Sequence, residues 1–151
     1  MEPRKGYTVA ELVVVVVILG VLTCVAVPRL QLGLRDGRQA ESTAWKIVAD
    51  LRRTRSLAIL HAATNAQGFA LNIQRSARRT AYHIVDLSNS RIVDSQTIGE
   101  SIFCEGGSTF EFGPLGALTE GHDKTLRISA GERTFAITVV PATGMVKCIE
   151  D

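Results

Sequence analysis

The order of its segments predicts an α+β chain, with one long N-terminal helix followed by an antiparallel β-rich domain. Three observations carry that expectation. A nearly unbroken apolar run occupies residues 7–27. Apolar residues then recur at helical spacing over residues 39–63. From residue 68 onward, short alternating segments are divided by turn-forming residues.

The first element starts from a basic stub, Arg4-Lys5-Gly6, and continues as Tyr7-Thr8-Val9-Ala10-Glu11 and then Leu12 to Val27, up to Pro28. At about 1.5 Å per helical residue it covers roughly 30 Å, the thickness of a bilayer's hydrocarbon core. Glu11 is the sole carboxylate in it. A charge in hydrocarbon costs on the order of 2.5–3.5 kcal/mol on insertion scales, so Glu11 calls for a neutralising partner. Pro28 lacks a backbone donor and predicts a helix kink.

Blander explanations fit less well. A secretory signal would place a glutamate in its apolar region and exceed the usual ~7–15 residues. A lipoprotein signal at Cys24 lacks the small residue expected before it, since Val21-Leu22-Thr23 precede. An ordinary anchor explains the length and leaves Glu11 and Pro28 without a reason. Arg4 and Lys5 lie before the run and Arg29, Arg35 and Arg38 after it, so loop charge alone does not orient it.

Gly33 and Gly37 are expected to loosen the passage into the second helical stretch. There Ala44, Val48, Leu51, Ala58 and Ala62 form the stripe, Arg55 interrupts it, and Trp45, Ile47, Ile59 and Leu60 broaden it. One side of this half should cover a sheet, and the first half should protrude as a bare apolar spike.

Strands are predicted at residues 68–75, 80–87, 91–98, 108–112, 125–129, 134–140 and 145–149. The clearest hairpin turns at Ala130-Gly131-Glu132-Arg133, and Gly113-Pro114-Leu115-Gly116 and Pro141-Ala142-Thr143-Gly144 mark two further turns.

Composition bounds the function. The chain has 151 residues, enough for one domain plus an anchor. Lys+Arg number 17 against 15 Asp+Glu, so charge balance by itself implies no nucleic-acid partner. His61, His83 and His122 are scattered, and neither HExxH nor paired-cysteine metal spacing occurs. Nor does GxSxG or a P-loop. His122-Asp123 reads as a solvated loop pair. The sequence therefore predicts no enzyme, no cofactor and no metal. Arg52, Arg53 and Arg55, with Arg75, Arg78 and Arg79, are clusters that could meet phosphates, but solvated faces are the more common outcome. Cys24, inside the apolar run, reads as a small buried hydrophobe.

The segment Gly6-Tyr7-Thr8-Val9-Ala10-Glu11-Leu12 resembles the leader junction of type IV prepilins and type II secretion pseudopilins. The family's glycine, glutamate, second glycine and proline fall in register on Gly6, Glu11, Gly20 and Pro28. Tyr7 stands where Phe is usual, and Val9-Ala10 is smaller than the usual pair. The C-terminal half resembles the GspH/FimT group of minor pilins and pseudopilins. That likeness rests on the Phe112-Gly113-Pro114-Leu115-Gly116 turn, the late hairpin and the closing Thr143-Gly144-Met145-Val146, although many members have arginine where Met145 stands.

The resemblance implies a pilin-like fold, with an apolar transmembrane half and an amphipathic half of one long helix packed on a β-rich domain. It implies a leader at residues 1–6, a transmembrane or filament-core helix at 7–28, an amphipathic continuation at 29–67 and a periplasmic domain at 68–151. A prepilin peptidase would cut between Gly6 and Tyr7 and N-methylate Tyr7. Glu11 would then pair with the amine of a neighbour's Tyr7 and set subunit register. The implied partners are that peptidase, other pilin or pseudopilin subunits, the inner-membrane assembly platform and the membrane itself. The implied function is a minor pseudopilin or minor pilin, with a DNA-binding minor pilin for DNA uptake as the alternative. In the periplasm, Cys104 and Cys148 either form a disulfide contributing about 2–4 kcal/mol or stand as two buried thiols.

Overall fold

The computed structural model describes residues 8–76 and 79–151, without side chains at 25–36. Among the described residues one helix, α1 (Val9–Leu60), precedes eight strands. They are β1 (Phe69–Arg75), β2 (Thr80–Asp86), β3 (Arg91–Ile98), β4 (Phe103–Gly106), β5 (Thr109–Phe112), β6 (Thr125–Ala130), β7 (Arg133–Val140) and β8 (Met145–Glu150). They form two four-stranded antiparallel sheets, ordered β3-β2-β1-β5 and β4-β6-β7-β8.

The pilin-like expectation, with an apolar half of the helix crossing a membrane and the other half on one β-rich domain, is corrected. Among the described residues no helix is long and apolar enough to cross a membrane. Side chains are described in the apolar stretch only over residues 9–24, about 24 Å of helix against the roughly 30 Å a span needs. The β region is two separate sheets. The chain also divides into two compact units, Met1–Arg35 and Asp36–Asp151, and the apolar stretch lies in the first. The helix continues through Pro28, so the proline does not end α1. Its side chain, where the kink was expected, lies outside the described side chains.

Within the second unit, α1 has one buried face. Ala40, Ala44, Ile47, Val48, Leu51 and Ala58 are fully enclosed, at the three- and four-residue steps that put side chains on one side of a helix. Trp45, Ile59 and Leu60 do not join them and stay exposed. Thr54, polar yet buried in that face, returns its hydroxyl to the Asp50 carbonyl at 2.7 Å. The helix ends at Leu60, short of Ala62, in a turn closed by Asn65 N–H donating to the His61 carbonyl at 2.7 Å.

The strands alternate as their patterns require. Leu71, Ile73, Ile84, Phe110 and Phe112 enter the core from one sheet, and Leu126, Ile128, Ile137 and Val139 from the other. β4 is the strand that alternation missed: Phe-Cys-Glu-Gly is too short and too exposed to show a period.

Each sheet edge carries a device that discourages pairing. Thr119 N–H and Asp123 N–H donate to the Glu111 and Thr109 carbonyls, laying a loop along β5. Arg75 donates to the carbonyls of Cys104, Gly106 and Gly107 along β4. Arg52 reaches the Val146 carbonyl of β8. β3 has a register shift opposite Ile84 and Val85, and Asp94, bonded to Arg53 of the helix.

Candidate functional site

Thr8 and Glu11 close the start of α1 on each other. Thr8 precedes the first helical residue, and its hydroxyl accepts the Glu11 N–H at 3.2 Å. The Glu11 carboxylate Oε2 accepts the Thr8 N–H at 3.2 Å and the Thr8 hydroxyl at 3.3 Å. This is a capping box, in which two otherwise unpaired donors at a helix N-terminus are satisfied reciprocally. The negative charge also lies at the positive end of the helix dipole. The sequence carries the signal, as Thr followed three residues later by Glu just before an apolar run, and the cap stands beside the register role that the resemblance implies for Glu11. Gly6 and Tyr7, the expected cleavage and methylation positions, lie outside the described residues.

Beyond the cap the helix surface is apolar on every side. Leu12 to Leu19, Val21 and Leu22 are each more than half exposed. Cys24 is exposed as well, which corrects its reading as a buried hydrophobe. Gly20 has nothing within 4 Å of where a side chain would begin. Thr23 spends its hydroxyl on the Leu19 and Gly20 carbonyls at 2.7 and 2.9 Å.

At the other end of α1, the two C-terminal turns meet under Arg55. Its Nε donates to the Gly116 carbonyl at 3.1 Å. Gly116 and Gly144 both have positive φ, at 77° and 63°. A Cβ on Gly144 would sit 2.0 Å from the Gly116 carbonyl oxygen, and one on Gly116 would sit 2.6 Å from Ile59 Cδ1. Arg55 interrupts the apolar stripe because it binds this junction. The junction presents Leu115, which at 89 % is the most exposed large apolar residue among the described ones.

The arginine clusters are spent largely inside the chain. Arg53 pairs with Asp94, which holds that carboxyl below its ordinary range. Arg52, Arg55 and Arg75 bond backbone carbonyls, as described. Arg79 is exposed, and Arg78 lies outside the described residues.

The Cys104–Cys148 disulfide is excluded by topology. β4 and β8 are opposite edges of one four-stranded sheet, three inter-strand steps or about 14 Å apart. A disulfide needs Cα atoms within roughly 7 Å. Both are free thiols, and burial pushes both thiol pKa values up.

His122-Asp123 lies in a polar loop with Asp123 exposed and His122 partly so, and both side chains have partners elsewhere in the chain. His122 Nε2 lies 2.8 Å from Glu111 Oε2. Asp123 Oδ2 accepts the Ser108 and Thr109 N–H groups at 2.6 and 3.1 Å, which lowers its pKa from the ordinary carboxylate value. Gly37 also departs from its reading as a loosening residue. It is buried inside the helix, where a Cβ would stand 2.8 Å from Arg133 Cδ.

A groove of about 490 Å³ opens between the end of α1 and the β2–β3 hairpin, lined by Leu57, His61, Phe69, Arg91, Ile92 and others. Asn65 and Asp86 at its floor are saturated: Asn65 Nδ2 donates to the Gly68 carbonyl and Asp86, and its Oδ1 accepts two backbone N–H groups. Among the described residues no group of three His, Cys, Asp or Glu could hold a metal ion. No protein-family model, curated protein or solved structure matches the chain.

Proposed function

We propose that this chain is a structural subunit of a type II secretion pseudopilus or type IV pilus, a minor pseudopilin or minor pilin. It would assemble after a prepilin peptidase removes residues 1–6 and methylates Tyr7. One observation carries the reading: the sequence junction Gly6-Tyr7-Thr8-Val9-Ala10-Glu11 stands before a helix surface that over residues 12–22 is apolar on every side and exposed. Monomeric proteins rarely leave contiguous apolar patches beyond a few hundred Å² uncovered. The proposed cover is the same helix of neighbouring subunits, gained by close van der Waals packing.

Glu11 then has two jobs. Its Oε2 is held by Thr8, which fixes the carboxylate at the helix start. The methylated amine of a neighbour's Tyr7 is its proposed cross-subunit partner. In a low-dielectric filament core a slipped neighbour leaves that charge unpaired, and this sets register. Before assembly the chain would be held at the inner membrane, with its C-terminal unit in the periplasm, and would engage the assembly platform there. A role in DNA uptake has less support, because Arg52, Arg53, Arg55 and Arg75 already serve contacts within the chain.

The test is intact mass and N-terminal sequencing after co-expression with a prepilin peptidase. A chain beginning at N-methyl-Tyr7 supports the reading, and an uncut chain or one cut near Ala26 ends it. Glu11→Leu should be processed normally yet enter filaments poorly; normal incorporation would remove the register role.

A further inference from the structure

Arg133 opens β7, close to where the second compact unit begins at Asp36. Its Nη1 lies 2.9 Å from Glu41 Oε2 on α1, and its Nε donates to Glu150 Oε1 on β8. The guanidinium sits 5.1 Å from the centroid of the Phe135 ring, within cation–π range. Its aliphatic stem lies against Gly37, whose missing side chain makes the room. Both partners favour its charged form, Glu150 first and then Glu41, and the Glu150 carboxyl is held below its ordinary range in return.

The helix residues it holds differ from those farther on. Between Gly37 and Glu41 the buried residues are Gly37 and Ala40, with little apolar area to bury. From Ala44 through Ile47, Val48 and Leu51 the docked face is fully apolar. The first docked turn therefore relies on charge, and the turns after it rely on packing. Arg133, Glu41 and Glu150 are all partly exposed, so salt screens their attraction, whereas packing at Ile47 and Leu51 is indifferent to moderate screening.

We infer that Arg133 is an electrostatic latch that fixes where α1 joins the β-sheets, and that its release frees the turn around Gly37 and Glu41 while Ile47 to Leu51 stay docked. This is a local opening of the kind that precedes global unfolding. It controls how much of the helix can lift from the sheets, and it does not depend on the filament reading.

Hydrogen–deuterium exchange of the full chain in detergent micelles tests it. Amides between Gly37 and Ala44 should exchange roughly fivefold faster in Arg133→Met, and faster to a smaller extent in Glu41→Gln. Raising NaCl from about 0.05 M to about 1 M should move the wild type in the same direction. Amides from Ile47 to Leu51 should not change. Unchanged exchange near Gly37 in Arg133→Met, or acceleration spreading equally to Ile47–Leu51, overturns the latch.

Discussion

The two ends of α1 both carry large apolar side chains and have opposite fates. Residues 9–22 carry more large aliphatics than residues 40–58, yet the former are bare and the latter hold the core. What separates them is arrangement. Ala40, Ala44, Ile47, Val48, Leu51 and Ala58 share one face, and small residues among them let the helix approach the sheets closely. The N-terminal run is apolar all round, so no single face can be turned inward and another left to water. Apolar content therefore calls for cover, and only its periodicity says that the cover is the chain's own.

The largest effects should fall on the packed region alone. Phe110→Ala, at a wholly buried site, should cost about 3–5 kcal/mol of unfolding free energy by urea denaturation, whereas exposed Leu19→Ala should stay within about 0.5. Equal losses would dissolve the contrast. The glycines repeat it. Gly144→Ala, forced against the Gly116 carbonyl at positive φ, should cost about 3 kcal/mol. Gly20→Ala, with open space around it, should raise helix stability by up to about 1 kcal/mol, read as thermal helicity loss by circular dichroism.

Polar contacts give smaller shifts. Tyr82 is buried and donates its hydroxyl to Asp50 Oδ2 at 2.6 Å; burial first and then this bond push its pKa up. Tyr82→Phe should cost about 1–2 kcal/mol in the same urea assay. Thr8→Ala should cost about 1 kcal/mol at the helix start and speed exchange of the first-turn amides, leaving the sheets untouched.

Asp123 adds a pH dependence. Its folded pKa lies below the unfolded value of about 3.9, so its contribution is present above that pH and lost as pH falls through the folded value. Stability should therefore drop on acidification less steeply in Asp123→Asn than in the wild type, while Asp86, Asp94 and Glu150, also lowered, keep a residual slope of the same sign. Identical slopes would show that the Ser108 and Thr109 bonds contribute nothing to folding.

Much of this was legible beforehand. Seven of the strands lie within a residue or two of where alternation and turns placed them, because a half-buried strand must alternate. The helix stripe was legible for the same kind of reason. What misled was single-residue reasoning. Arg55 looked like a flaw in the stripe until Gly116 and Gly144 were seen beneath it. The partners of His122 and Asp123, namely Glu111, Ser108 and Thr109, were missed because they are more than ten residues away. The hydrogen bonds between Thr8 and Glu11 went unread because Glu11 was weighed for its charge and not for its three-residue spacing from Thr8.

The sequence by itself determined the local rules: where strands alternate, where glycine permits a turn, and that residues 7–27 are apolar throughout. Those follow from backbone sterics and from period, which neighbours in the chain set. Only the tertiary structure decided that the strands divide into two sheets, with Cys104 and Cys148 at opposite edges of one of them. It alone placed Arg133 between Glu41 and Glu150. Pairing across sheets depends on which distant surfaces bury each other, and no local period encodes that choice.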